Sequence, residues 1–154
     1  MTSFGKRRVE GRDAEAFLNY VWGADMSVPT GKIVYTQFLN NRGGIEADVT
    51  VTRLSETVYL VVTPSTTRIG DEAWMRRNMG DHRVVITDVT AGEGVLAVMG
   101  PNARKLMQLV SPNDFSHDNH PFGTAQDIEI GMGLARAHRV SYVGELGWEV
   151  YVSS

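Results

Sequence analysis

Tyr35 and Asp48 are the two residues whose types and spacing open the most specific chemistry. They lie in the stretch YTQFLNNRGGIEADVTVTRL, Tyr35 to Leu54. Its centre, Asn41-Arg42-Gly43-Gly44, is a turn signal between two runs rich in β-branched and aromatic residues. A connection of two or four residues pairs Asn40 with Ile45, sets Gln37 opposite Asp48 and sets Tyr35 opposite Thr50. Tyr35 and Asp48 then become diagonal neighbours on one face. A three-residue loop shifts the register by one and separates them. The second strand alternates Ile45, Ala47, Val49 and Val51 against Glu46, Asp48, Thr50 and Thr52, so one side is core and the other polar. Aspartate is depleted in strands, so Asp48 between apolar neighbours needs either water or a ligand. The polar side is thus either a solvated sheet face or a surface that sets a carboxylate and a phenol side by side.

Other combinations carry less. His117 and His120 have the spacing of a helical metal pair, but Pro121 and neighbouring breakers argue against a helix, and no third ligand is evident. No metal site is expected. His82 and His138 have no partner that the sequence identifies. Gly92-Glu93-Gly94 is not a dinucleotide fingerprint, because no third glycine follows at the required spacing and no βαβ unit surrounds it. No flavin or nucleotide site is expected on this chain. The absence of cysteine excludes disulfides, thiol catalysis and thiolate metal sites. A net charge of −3, with Arg7-Arg8 and Arg76-Arg77 as isolated pairs, gives no footprint for nucleic acid. No apolar run approaches membrane-spanning length, and MTSFGKRRVEG lacks the apolar core of a signal peptide. The expected setting is cytoplasmic, or the mitochondrial matrix in a eukaryote.

The elements that position these residues follow from an internal echo. VEGRDAEAFLNYV, Val9 to Val21, and VMGPNARKLMQLV, Val98 to Val110, repeat Val, Gly, Asp or Asn, Ala, two apolar positions and Val at one spacing. Each reads as a strand end, a Gly at the helix N-cap and a short amphipathic helix, with Pro101 suited to the first helical position. Two copies indicate duplication inside one globular unit, not a solenoid. After the first helix come the hairpin, a strand at Thr57 to Thr63, and a helix from about Thr66 to Met79 with an Ile69, Ala73, Arg76 face. Arg83 to Val89 and Gly94 to Met99 form a second hairpin. Residues 111–123 read as a loop with at most one helical turn. Strands near Ile128 to Val143 and Trp148 to Val152, joined by Gly144-Glu145-Leu146-Gly147, close the chain. Strands in hairpins with helices between the groups predict an antiparallel α+β fold. The expected subdomains are residues 1–87 and 88–154, the second incomplete where Ser153-Ser154 follows directly on an alternating strand.

The Tyr, the Gly-Gly turn with Asp48 four residues beyond it, and the later run SYVGELGWEVYV, Ser141 to Val152, resemble the folate-binding module of the glycine cleavage T-protein (aminomethyltransferase) family. The likeness is to the version at the C-terminal end of dimethylglycine and sarcosine dehydrogenases. It covers nearly the whole chain and is weakest between Ser111 and Ile130. T-proteins usually follow the turn with two adjacent acids, whereas Glu46-Ala47-Asp48 keeps only the second in place, which favours the amine dehydrogenase branch. The absence of cysteine sets aside the iron–sulfur assembly branch.

The resemblance implies two related α+β subdomains around a central pocket, with the family's C-terminal β-barrel domain absent. It implies tetrahydrofolate as cofactor, an amine donor such as dimethylglycine or sarcosine, transfer of a methylene unit, and an upstream flavin-dependent oxidase domain in a full-length relative. Asp48 would orient the reactive folate nitrogen or assist its deprotonation. Tyr35 would pack against the pterin. Glu145 would accept the amino group and ring N–H of the pterin edge together, with Tyr142 as a neighbour. A T-protein-like transferase fed by a lipoyl arm, a demethylase with a sulfonium donor, and a non-catalytic folate-fold binding module are the alternatives.

Overall fold

The computed structural model describes residues 4–154. The chain folds as α+β, with two antiparallel sheets and three α-helices among the described residues, and it divides into two compact units between Ala91 and Gly92.

The first unit runs β1 (Phe4–Glu10), α1 (Ala14–Val21), β2 (Ile33–Leu39), β3 (Ile45–Ser55), β4 (Val58–Pro64), α2 (Arg68–Arg77) and β5 (Val85–Asp88). Its five strands lie in the order β2-β3-β4-β1-β5, every pair antiparallel. In α1 the buried residues Ala14, Phe17, Leu18 and Val21 recur at the three- and four-residue spacing of one helical stripe. Phe17 and Leu18 are fully buried against Phe38, Val49, Val51, Tyr59 and Val61, and burial of each such side chain stabilises by about 1.5–3 kcal/mol. In α2 the buried positions are Asp71 and Met75, while Ile69 is exposed. The Ile69, Ala73, Arg76 face expected from spacing is therefore not the packed one. Asp71 tolerates burial by accepting the Thr67 hydroxyl at 2.8 Å, and burial raises its pKa.

The second unit runs β6 (Glu93–Met99), α3 (Ala103–Val110), β7 (Ala125–Ile130), β8 (Gly133–His138) and β9 (Gly147–Ser153), with sheet order β6-β9-β8-β7. Its core gathers Met107, Phe115, Ile128, Ala137, Trp148 and Val150.

The echo in the sequence is an echo in hydrogen bonds. β1 meets β4 from Phe4↔Pro64 to Glu10↔Val58, and β6 meets β9 from Glu93↔Ser153 to Met99↔Gly147, the same register displaced by 89 residues. Gly11 and Gly100 leave β1 and β6 with φ of +143° and +127°, which only glycine adopts without strain. The first helical residue is Ala14 in one copy and Ala103 in the other, with Asp13 and Asn102 at the N-caps. Neither glycine is the cap itself, and Pro101 lies ahead of the cap instead of at the first helical position.

Two expected connections differ. β5 pairs with β1, whereas β6 pairs with β9, so residues 83–99 are not a hairpin. Between them a short 3-10 turn at Thr90–Gly92 intervenes, and the Thr90 hydroxyl accepts the Lys6 backbone N–H at 3.0 Å, tying the end of β5 back to β1. The single strand expected across Ile128 to Val143 is two strands, because Gly131, with φ of +57°, opens the two-residue turn between β7 and β8. The irregular path expected over residues 111–123 is present.

Candidate functional site

The β2–β3 hairpin carries the first part of the site. Its tip is closed by Asn40, whose Oδ1 accepts the backbone N–H groups of Arg42 and Gly44 at 3.0 and 2.9 Å. Asn40 Nδ2 donates to Glu46 Oε1 at 2.8 Å. Gly43 supplies the positive φ, +76°, that the turn requires. A register shift between Phe38 and Leu39 makes Leu39 the partner of Ile45, so Asn40 does not pair there. Beyond that shift the pairing is Gln37↔Asp48 and Tyr35↔Thr50, because the odd-length connection over residues 40–44 is compensated by Glu46, the extra residue on β3 at the shift.

Tyr35 and Asp48 are consequently brought together. The Tyr35 hydroxyl donates to Asp48 Oδ2 at 2.5 Å, and Gln37 Nε2 donates to Oδ1 at a longer 3.3 Å. The carboxylate holding the phenol proton raises the Tyr35 pKa above its ordinary 10.0. Both side chains are exposed, Tyr35 by 65 %. The opposite face of the hairpin, with Thr36, Phe38, Ala47, Val49 and Val51, is buried, which fixes the polar face outward. Along that outward face the register continues through Thr50 and Val62 to Lys6, which is fully buried.

Tyr142 and Glu145 belong to the second unit. Both are exposed on the irregular stretch 139–146 between β8 and β9, not at a tight hairpin tip. The buried acid nearby is Glu149, in the middle of β9 and 8 % exposed. It sits opposite His138 and Ala97 in the sheet and accepts the Tyr151 hydroxyl at 2.8 Å. Burial raises the Glu149 pKa. Burial also raises the Tyr151 pKa, with the Glu149 charge adding to it. The His138 ring lies 4.2 Å from the Tyr151 ring, and burial lowers its pKa to about 3. Sequence reading passed over Glu149. Its signal was a glutamate at the centre of the apolar strand Trp148 to Val152, where a charged residue has no reason to be unless that face meets polar groups.

The remaining histidines have structural surroundings. His120 is fully buried between the rings of Phe115 and Trp148. His117 Nδ1 lies 3.2 Å from Arg139 Nη1. His82 Nδ1 lies 2.8 Å from the Met79 carbonyl. No three metal-ligating side chains cluster among the described residues, and no described helix is long and apolar enough to cross a membrane.

Two antiparallel sheets sharing the β1–β4 and β6–β9 register, the first accompanied by two α-helices and the second by one, with a phenol–carboxylate pair on one hairpin, form an α+β domain. The chain belongs to the GCVT N-terminal domain family, which it matches over residues 1–154. It is 41 % identical over its whole length to 4-methylaminobutanoate oxidase (formaldehyde-forming) of Paenarthrobacter nicotinovorans, spanning 19 % of that protein. It is 34 % identical over 99 % of its length to mouse mitochondrial sarcosine dehydrogenase, spanning 18 % of it. The aminomethyltransferase of Listeria welshimeri is 32 % identical to the full chain, which covers 42 % of that enzyme. The chain therefore spans about a fifth of the two oxidising relatives. In fold it matches the glycine cleavage system aminomethyltransferase T of Bartonella henselae, with a TM-score of 0.83 over 99 % of this chain and 40 % of that one, at 24 % identity.

Proposed function

We propose that this chain is a tetrahydrofolate-binding domain that passes a one-carbon unit from an amine donor to folate, within a protein that oxidises an N-methylated amine. The Tyr35–Asp48 pair is the observation that carries the reading. Asp48 Oδ2 is engaged by the Tyr35 hydroxyl, while Oδ1 has only the longer contact with Gln37, so Oδ1 is the better remaining acceptor. A hydrogen bond from an N–H to that charged oxygen contributes about 1.5–3 kcal/mol. Exposure of both groups leaves them open to a ligand. The donor set suits tetrahydrofolate, which supplies the amine nitrogens that accept the carbon.

Asp48 orients such a nitrogen and holds its proton, assistance typically worth about 10²–10⁴ in rate. The Tyr35 ring offers a flat apolar surface to the pterin, and its hydroxyl fixes the carboxylate rotamer. In the second unit, Glu145 and the buried Glu149 are carboxylates able to accept the paired N–H groups of a pterin edge, and Tyr142 lies three residues before Glu145. An aminomethyltransferase and two amine-oxidising enzymes among the relatives support this assignment. The flavin-dependent oxidase domain and the particular amine, dimethylglycine or sarcosine, belong to the same proposal.

The test is Asp48→Asn in the protein that contains this domain. Methylene transfer should fall by about 10²-fold or more, with amine oxidation unchanged and formaldehyde released in place of methylene-folate. The relative named as formaldehyde-forming favours a second reading, in which capture by folate does not occur. Equal methylene-folate yields from wild type and variant remove Asp48 from the mechanism, and a wild type that yields only formaldehyde establishes the second reading.

A further inference from the structure

The 89-residue displacement that carries β1 onto β6 and β4 onto β9 also relates surfaces, and there the two units differ. In the first unit β1 has a strand on each side, β4 on one and β5 on the other. In the second, β6 has β9 on one side, and no strand pairs with its other side among the described residues. β6 is thus an edge strand where its counterpart is central.

The open side follows from the hydrogen bonds. The Lys6 carbonyl accepts the Val89 N–H at 3.0 Å and the Lys6 N–H donates to the Thr90 hydroxyl at 3.0 Å, so Lys6 points its backbone groups toward the end of β5. The counterpart of Lys6 is Val95. Just ahead of β6 the Gly92 carbonyl accepts the Ser154 N–H at 3.1 Å and so faces the β9 side. Backbone groups alternate sides along an antiparallel strand. Leu96 and Val98 therefore also face β9, while Val95, Ala97 and Met99 present theirs outward. From Gly94 to Met99 the strand carries no charge, whereas native edge strands are normally covered, charged or twisted away.

Side chains repeat the contrast. α2 lies over Gly5 and Arg7: a Cβ on Gly5 would sit 2.6 Å from Arg68 Cβ, and Arg7 donates to the Arg68 carbonyl and to Glu72. At the matching positions a Cβ on Gly94 meets only the Val152 carbonyl oxygen at 3.9 Å, and Leu96 is 46 % exposed where Arg7 is buried. A glycine inside a strand weakens it and marks a place where another backbone comes close. In α1 the buried Phe17 and Val21 share a core with Met75 of α2, and the His82 ring lies 5.7 Å from that of Phe17. Their counterparts in α3, Leu106 and Val110, are exposed.

We infer that the outer edge of β6, Gly94, Leu96 and the Leu106–Val110 face of α3 form one docking surface for a helix followed by an antiparallel strand, the arrangement of α2 and β5, supplied by further polypeptide of the protein that contains this domain. Residues 1–154 span 19 % and 18 % of two relatives, so a protein of that kind has the polypeptide to spare. A second copy of this chain is the poorer source, because its own α2 and β5 are already engaged on β1. Leu96 stands where Arg7 meets Glu72, so the docked helix carries an apolar residue in place of that acid. None of these residues enters the folate reading, and the two are tested apart.

The experiment measures amide hydrogen exchange at single residues in the protein that contains this domain and in residues 1–154 alone. In the longer protein the Val95, Ala97 and Met99 amides should exchange as slowly as those of Leu96 and Val98. In residues 1–154 the pattern should alternate, with the three outward amides faster by about 10²-fold or more. Gly94→Val should lower the unfolding midpoint of the longer protein by filling the space the helix takes. In residues 1–154 the same change should leave the midpoint unaltered or raise it, since valine is the better strand residue. Leu106→Gln should likewise destabilise only the longer protein. Alternating exchange in the longer protein overturns the inference, as does a longer protein indifferent to Gly94→Val. Slow outward amides in residues 1–154 that quicken on dilution assign the edge to a second copy and overturn it too.

Discussion

Gly11 and Gly100 make the same two contacts 89 residues apart. Gly11 N–H donates to the Thr57 carbonyl at 3.0 Å and its carbonyl accepts the Ala14 N–H at 3.0 Å. Gly100 N–H donates to the Leu146 carbonyl at 2.8 Å and its carbonyl accepts the Ala103 N–H at 3.0 Å. Each glycine thereby fastens the strand-to-helix corner onto the turn ahead of the neighbouring strand. The two differ in their surroundings. A Cβ on Gly11 would lie 2.2 Å from the Arg83 carbonyl oxygen, whereas a Cβ on Gly100 meets nothing within 4 Å. Gly100→Ala should cost only the backbone strain of a positive φ, about 1–3 kcal/mol. Gly11→Ala should cost more, because backbone must also move aside. Urea unfolding of the two variants checks this, and equal midpoints would show that the Arg83 segment yields without penalty.

Much of this architecture was legible in the sequence, and the exceptions have local causes. The pairing of Gln37 with Asp48 followed from the alternation of β3, because slipping one residue would bury Glu46, Asp48 and Thr50 together. The shift at Leu39 was not legible, since it depends on the Asn40 side chain substituting for a backbone partner at the tip. Asp71 was missed as a packed residue for a similar reason. The Thr67 hydroxyl, one turn earlier, makes its burial tolerable together with Thr63 and the Arg7 charge. Residues 83–99 mimic a hairpin because β5 and β6 are consecutive and apolar, and only long-range pairing with β1 and β9 separates them. Glu145 attracted notice through its motif, while the burial of Glu149 depends on both faces of β9 being covered, which alternation alone does not reveal.

The Tyr35 phenol should ionise above the ordinary 10.0, because the hydrogen bond to the Asp48 carboxylate stabilises the protonated form and the carboxylate charge opposes a phenolate. Asp48→Asn replaces that acceptor with a neutral amide. The Tyr35 pKa should then move down toward 10.0, visible as an earlier ring-carbon shift of a labelled tyrosine in an NMR titration. A titration unchanged by the substitution would mean that the two side chains do not hold each other in solution, and the proposed acceptor geometry at Oδ1 would go with it.

Glu145 and Glu149 make opposite predictions as the acid facing a pterin. If exposed Glu145 holds the ligand, Glu145→Gln should raise the Kd for tetrahydrofolate by about tenfold, one charge-assisted contact, and leave unfolding unaffected. Should Glu149 hold it, Glu149→Gln should do so instead, with a modest change in stability because the Tyr151 hydroxyl retains an acceptor. Perturbed, buried carboxylates concentrate at functional sites, which gives Glu149 the stronger physical case. Tetrahydrofolate titrations of both variants in the protein containing this domain separate the two. Unaltered affinity in both would place the pterin elsewhere.

Acid should destabilise the second unit through its buried histidines. His138 is held neutral by burial, with a pKa lowered from 6.5 to about 3, and burial also lowers that of His120. The unfolded chain takes up a proton on each residue below 6.5 while the folded chain does not. Stability from this source is therefore complete above 6.5 and, for His138, declines as pH falls toward 3, by about 1.4 kcal/mol per pH unit, with His120 acting in the same direction. Glu149 acts in the reverse sense, since its raised pKa lets the folded state bind a proton more readily than the unfolded one, and its contribution is lost as pH rises from 4.5. Between 6.5 and about 3 the His138 effect lowers stability as pH falls, and the Glu149 effect opposes it. His138→Phe, which keeps an aromatic ring against Tyr151, should flatten the pH dependence of the urea midpoint across that window. An equally steep profile in His138→Phe would assign the acid sensitivity to the carboxylates instead.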